Sequence, residues 1–409
     1  MNPMALSRLL IAVILVAAAP MCFLDAAPPD LAVDTSFSGG SALVEKIDQS
    51  ARFIKISPTV HQDRGWVCWW FFKLKGIKPG ETITLEVGPA PWATPDRAAF
   101  SVDGKTWKQT APGKRDKKQI TYRQTIDATE CWFAWGPPFT PAEAQALVDE
   151  SAQASPFAKA FVLCQSRGGR PVPALHIEEP QPKGNKAGPR FGIWISARQH
   201  AWESGSSWVC RGLTEWLVSD DSRAVELRRK SRIDIVPIMD IDNVAIGAGG
   251  KEEKPQDHNR DWSEVPHWKA VAAAQATIRK QNEQGDFDLF LDLHNPDAGA
   301  KQPFFFVSPR DKMSEFQARN LDHFLAAVKL EMTEPLPIAK DTRESGPSYD
   351  KGWREISKNW VTFNCRPHVV SATLETAWNT PASTTEGYRT VGRQLGLAIE
   401  RYLRTSPRQ

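Results

Sequence analysis

The chain has 409 residues, enough for two or three domains at ~100–200 residues each, and its 41% apolar and 24% charged residues exclude disordered, collagen-like and coiled-coil classes. Lys and Arg total 51 against 48 Asp and Glu, a formal net charge of +3, which lacks the concentrated basic excess of a dedicated nucleic-acid binder. The 16 Trp and 31 Pro favour β-rich packing over an all-helical bundle.

Arg8, the apolar run at 9–19 and the small residues Ala26 and Ala27 describe a secretory signal peptide over residues 1–27. The run is shorter than the ~18 apolar residues of a spanning helix, and no later segment approaches that length. The expectation is a secreted or periplasmic protein whose mature chain has no membrane span. Beyond Cys22 stand Cys68, Cys131, Cys164, Cys210 and Cys365, an odd number without metal-type spacing. One disulfide, for example Cys68 to Cys131, is allowed in an oxidising compartment, and buried free thiols are the favoured reading.

Residues 30–145 read as an N-terminal domain of strands near 52–56, 66–74, 82–87, 98–102 and 131–135, punctuated by Lys78-Pro79-Gly80 and Asp103-Gly104. That spacing predicts a small antiparallel β-sandwich. Trp66, Trp69 and Trp70 could form an aromatic platform for sugar or peptide, but sandwich core is the commoner fate of such residues. The run at 114–118 (KRDKK) reads as a solvated hairpin tip.

Beyond residue 140 the rhythm changes. A helix at 141–154 leads to strands at 160–165 and 174–178 and a Pro-, Lys- and Gly-rich loop at 180–189. Strands at 190–197, 233–239, 287–294 and 369–375 then alternate with helices at 206–218, 267–282, 315–332 and 387–405. This predicts an α/β domain over 155–405, with a mixed, largely parallel sheet flanked by helices.

His200 and Glu203 follow the strand at 190–197 directly, at the carboxyl end where open α/β sheets place their sites. Three residues apart, they can reach one ion, and His294 ends another strand. Two imidazoles and a carboxylate, with a fourth position left for water, make a catalytic zinc set.

Further segments follow in a set order. Ile235-Val-Pro-Ile-Met-Asp-Ile-Asp242 runs into a Gly-containing loop and Asp257-His-Asn259-Arg260-Asp-Trp262, and Leu374-Glu375-Thr376 comes late. Together with H-x-x-E and D-L-H, this order resembles the zinc carboxypeptidase (funnelin) family over residues ~170–400. Phe37-Ser-Gly-Gly40, Trp69-Trp-Phe-Phe-Lys73 and Cys131-Trp-Phe-Ala-Trp135 are similar to the β-domain that precedes the catalytic domain in cytosolic-type carboxypeptidases.

The resemblance implies one zinc per chain, on His200, Glu203 and His294. It implies that Asn259 and Arg260 hold the free C-terminal carboxylate of a peptide substrate, a role suited to a planar guanidinium. It makes Glu375 the general base and Tyr349 the mobile residue that closes over substrate. One departure stands out: the arginine that stabilises the oxyanion is missing, and Gly250 occupies its place beside Lys251. Either Lys251 substitutes, another arginine reaches in, or activity is reduced. The expected function is an exported zinc-dependent carboxypeptidase-like hydrolase. The rivals are a zinc amidase on cell-wall peptides or N-acyl amino acids, and a catalytically weak protein that binds peptide or glycan.

Overall fold

The computed structural model describes residues 29–90, 94–180, 190–405 and 408. The targeting segment at 1–27 and nearly all of the loop at 180–189 lie outside them. Among the described residues, two five-stranded sheets occupy the first part of the chain and one eight-stranded sheet the rest.

The strand Glu81–Val87 shows why the first sheets form. Ile83, Leu85 and Val87 are buried while the residues between them are half-exposed, the period-two pattern of a strand with one face in a core. Pairing in these sheets is antiparallel except between Phe53–Ser57 and Glu81–Val87, which run parallel. Trp70 and Tyr122 join the two sheets, with ring centroids 6.3 Å apart. Trp69 and Trp70 are core, as their type favours. Lys114–Asp116 is fully exposed, in keeping with a solvated hairpin.

The strand expected at 66–74 begins only at Phe71. Residues 66–70 form an irregular turn, because Trp66 N–H donates to the Lys251 carbonyl (2.9 Å) instead of pairing within a sheet.

In the large sheet the strands lie in the order Ala158–Gln165, Pro171–Ile177, Ser231–Val236, Phe191–Ala197, Leu289–His294, Val370–Glu375, Phe304–Val307, Arg343–Glu344. Its four central strands are mutually parallel. The two strands on one side of them pair antiparallel, as does Phe304–Val307 on the other side. Phe191–Ala197 and Leu289–His294 are buried along nearly their whole length, as strands covered on both faces must be.

Ile193, Ile195 and Leu291 face a core shared with the helices Ser204–Leu217, Glu315–Glu331 and Thr385–Leu403. Trp194 and Phe290 face a second core with Pro141–Ala154, Lys269–Gln284 and Ser357–Asn364. The first and last helices of the former group cross closely. A Cβ on Gly212 would sit 2.1 Å from the Arg389 carbonyl, and one on Gly392 2.0 Å from that of Val209. Cys68, Cys131, Cys164, Cys210 and Cys365 are all free thiols, the first two and Cys210 buried. Burial pushes the Cys131 and Cys210 thiols up to about 12.

Candidate active site

Three neighbouring strands end together at the carboxyl edge of the large sheet. Ala197 pairs with Leu293, and His294 with Glu375. The chain leaves the first of these strands through Arg198, whose φ of 65° turns it sharply. The buried Arg198 guanidinium secures that turn, its Nε donating to the Ala201 carbonyl (2.6 Å) and one Nη to that of Phe139 (3.0 Å). His200 lies in the turn, and Glu203 sits at the start of the helix Ser204–Leu217.

His200, Glu203 and His294 are buried, and their ligand atoms lie within 4.8 Å of one another. Both rings turn Nδ1 toward the same carboxylate, His200 at 2.8 Å from Oε1 and His294 at 2.7 Å from Oε2. Each Nε2 faces another carboxylate, Asp257 Oδ1 at 3.4 Å and Asp292 Oδ2 at 2.8 Å. Asp292, hydrogen-bonded behind His294, fixes the tautomer that presents its Nδ1 lone pair inward, the usual support of a metal-binding histidine, while Asp257 stands behind His200 as a charge contact only. The donor set therefore fits a metal ion.

Burial opposes the charge on Glu203, but the two imidazoles outweigh it and hold the carboxyl far below its usual range. Asp292 and Asp257 enter the sequence analysis only as members of motifs, the first residue of D-L-H and of the 257–262 segment, with no role given to either at the metal site. A strand's alternation puts Asp292 on the same face as His294, and that was the available signal.

Glu375 ends its strand beside His294, with Oε2 buried and, among the described residues, without a hydrogen-bond partner. Burial is the main force raising its carboxyl to about 7. A cleft of about 250 Å³ opens over these groups, lined also by Trp66, Trp202, Lys251, Asn259, Arg260, Arg343, Ser345, Tyr349, Ile356, Lys358 and Thr373.

Arg260 pairs with Asp350 (Nε to Oδ2, 2.6 Å), and its guanidinium lies 5.8 Å from the ring centre of Tyr349. Tyr349 is 48% exposed, with its ring against Phe306. Asn259 is buried, its Oδ1 accepting from the Ser357 N–H. Thus Asn259, Arg260, Tyr349, Lys251 and Glu375 share one cleft with His200 and Glu203, and His294 lies against Glu203 just behind its wall.

Lys251 lies with its Nζ 5.3 Å from the Trp66 ring centre. Gly250, by contrast, cannot be replaced by arginine without strain: its φ is 78°, and a Cβ would fall 2.4 Å from Asp240 Oδ2.

Lys358 is a site residue absent from the sequence reading. It is fully buried, with Nζ donating to Ser345 Oγ and Asn359 Oδ1, both neutral acceptors. Burial pushes its ammonium well below the usual lysine range.

A second buried group braces the loop behind the cleft. Asp240, Glu253 and His258 also offer ligand atoms within 4.8 Å of one another. Here Asn243 Nδ2 donates to both carboxylates, at 2.8 and 2.7 Å, and so bridges them.

The sequence profile described as zinc carboxypeptidase matches residues 144–388. The chain belongs to the zinc carboxypeptidase family. It is accordingly a peptide hydrolase with zinc as its metal, and His200, Glu203 and His294 form a triad of the type that holds zinc.

Among relatives, the chain is 27% identical to an uncharacterized protein of Zymomonas mobilis over 277 residues, 66% of this chain and 68% of that one. It is 24% identical over 329 residues to cytosolic carboxypeptidase 6 of Caenorhabditis elegans, covering 73% of this chain and 70% of the relative. The match to cytosolic carboxypeptidase 2 of Mus musculus, also 24%, covers 53% of this chain but only 27% of the mouse protein.

Two solved structures share the fold across nearly the whole chain. A metallo-carboxypeptidase from Burkholderia cenocepacia superposes with a TM-score of 0.78 at 22% identity, covering 92% of this chain and all (100%) of that one. A metallo-carboxypeptidase from Pseudomonas aeruginosa, in complex with (2-guanidinoethylmercapto)succinic acid, does so with 0.72 at 20%, covering 91% and 100%. Among the described residues no helix is long and apolar enough to cross a membrane.

Proposed function

We propose that this zinc carboxypeptidase is exported and removes single residues from the free C-termini of peptides. Residues 30–145 form its β-sandwich unit and 155–405 its catalytic domain. The observation that carries the reading is the convergence on one cleft of Arg260, of His200 and Glu203 from the buried His200–Glu203–His294 triad, and of Glu375, whose buried Oε2 has no hydrogen-bond partner among the described residues. The signal-like segment at 1–27 supports export.

His200, Glu203 and His294 hold the zinc, Asp292 orients the His294 ring, and Asp257 faces the His200 ring with its charge. When bound, zinc supplies Lewis acidity, polarising the scissile carbonyl and acidifying a water so that it can attack near neutral pH. Arg260 and Asn259 grip the terminal carboxylate and set the scissile bond over Glu375. Tyr349, at the open side, closes over the bound chain end. Glu375 takes a proton from the attacking water at Oε2 and returns it to the departing amine. A carboxyl raised to about 7 by burial suits both transfers. Lys251 faces the negative oxygen that develops on the carbonyl, in place of the absent arginine.

The inner part of the cleft carries a finer reading. The buried Lys358, bonded to neutral partners, and Arg343 at the cleft wall favour an acidic C-terminal residue. A mass-spectrometric screen of a peptide library with the zinc-loaded protein tests the activity. Stepwise loss of single C-terminal residues is expected. Release confined to peptidoglycan fragments or N-acyl amino acids would replace this reading with the amidase one.

A further inference from the structure

The loop that carries Lys251 is held by the N-terminal β-unit rather than by the catalytic domain alone. Gly250 N–H donates to the Arg64 carbonyl (2.9 Å), Trp66 N–H to that of Lys251 (2.9 Å) and Lys254 N–H to that of Asp63 (3.0 Å). Residues 63–66 therefore run along 250–254 as a short backbone ladder.

The contact is closer than side chains at these positions would allow. A Cβ on Gly65, whose φ is 82°, would fall 2.3 Å from the Lys251 carbonyl, and one on Gly249 2.1 Å from that of Trp66. An ion pair between Lys254 and Asp63 (3.1 Å) closes one end.

This ladder sets the Trp66 side chain in the cleft. Its ring stacks on Trp202, centroids 6.0 Å apart and planes 27° from parallel, and Trp202 lies in the turn between His200 and Glu203. The Lys251 Nζ lies 5.3 Å from the Trp66 ring centre, within cation–π range. A lysine has a flexible stem and lacks the rigid fork of arginine, so its ammonium needs an external constraint to act at one point. Lys251 and Trp66 line the same cleft as His200, Glu203 and Glu375, which puts that point beside the reaction centre.

We propose that Trp66 is a positioning residue for Lys251, so that the N-terminal β-unit completes the reaction centre of the catalytic domain. The inference rests on the oxyanion role given to Lys251 above. A double-mutant cycle on the full-length, zinc-loaded protein tests it, using the peptide turned over fastest in the library screen and measuring zinc content and melting temperature for each variant. Lys251→Ala should lower kcat by about 10²-fold with little change in KM. Trp66→Leu should lower kcat by about 10-fold, again with KM little changed, and the double variant should be no slower than Lys251→Ala alone.

Binding of a phosphonate peptide that imitates the tetrahedral state should weaken in the same non-additive way. Trp66→Phe, which keeps an aromatic face, should restore most of the rate. It carries the cycle if the leucine variant does not fold. Normal kcat in the Trp66 variant, or losses that multiply in the double variant, would overturn the positioning role. Normal kcat in Lys251→Ala would instead remove the oxyanion role itself.

Discussion

Asp292 and His294 stand two residues apart on one face of a central strand, with Asp292 Oδ2 2.8 Å from His294 Nε2. Asp292 also accepts from Ser357 Oγ (2.7 Å) and from Gln199 Nε2, so it is locked from several elements at once. A carboxylate fixed in this way holds the imidazole in one orientation and raises its basicity as a ligand. Asp292→Asn keeps the shape and removes the charge, and should weaken zinc binding by about 10–100-fold. Competition with a chelator measures this. Unchanged zinc affinity in a folded variant would show that His294 is oriented by other contacts.

Glu375→Gln should retain zinc and lose turnover. Glutamine fills the same volume beside His294 but cannot accept the water's proton, and loss of a general base costs about 10²–10⁴-fold in rate. Elemental analysis and kcat on one preparation check both halves. Near-normal kcat at full zinc content would put the base elsewhere.

Arg260 lines the cleft with its Nε held by Asp350 and one Nη donating to the Asn259 carbonyl (3.2 Å), so its guanidinium is fixed where a chain end can meet it. Arg260→Ala should raise KM for peptides with a free C-terminal carboxylate by about 10–100-fold, the scale of a charge-assisted hydrogen bond. The already poor cleavage of the matching C-terminal amides should hardly change. Equal losses on both substrates would refute the anchoring role and favour the amidase reading.

Much of this site was legible in the sequence, because the groups that carry it stand at strand ends. His200, Glu203, His294 and Glu375 follow or close strands whose apolar runs are unmistakable, and an open α/β sheet gathers such ends at one edge. Trp66 was not legible. The apolar run from Trp66 to Leu74 reads as one strand, but Trp66 pairs with Lys251, about 185 residues away, and leaves the sheet for the cleft, while Trp69 and Trp70 stay in the core.

Lys358 failed for a similar reason. A lysine in a short helix, Ser357–Asn364, reads as surface charge, and this helix is buried on nearly every side. That helix, together with Ser222–Lys230 and Ile241–Ile246, is too short to show a clear 3.6-residue period.

The braced loop behind the cleft should make stability depend on pH. Burial, with Asp257 nearby, raises the Glu253 carboxyl to about 8, and burial with Glu253 raises Asp240 to about 7. An acid whose folded value is raised binds more protons in the native state than in the unfolded chain. Stability therefore falls as pH rises from the ordinary carboxyl range to about 8. His258, lowered by burial, acts in the opposite sense below its usual value of 6.5, so the carboxyl effect is cleanest above that. Glu253→Gln should melt higher than the wild type at pH 8.5, with the gap shrinking by pH 6.5. A gap that does not change with pH would mean Glu253 is not protonated in the native state.

The cationic inner wall of the cleft gives the most discriminating substrate test. Lys358 is buried with neutral partners, and burial pushes its ammonium well below the usual lysine range. An incoming carboxylate would add a charged direct partner where Lys358 now bonds only neutral ones, so an acidic C-terminal residue gains a charge-assisted contact that an apolar one does not. Lys358→Met keeps the unbranched stem and much of the volume while deleting the charge. It should lower kcat/KM for peptides ending in glutamate by about 10–100-fold. Peptides ending in leucine should be cut as well as before, or better, since they no longer enter beside a buried polar group. The ratio of the two kcat/KM values is the measurement. A ratio unchanged from the wild type would mean that Lys358 is a structural cation of the helix and that the terminal side chain is read elsewhere, with Arg343 at the cleft wall the next group to vary.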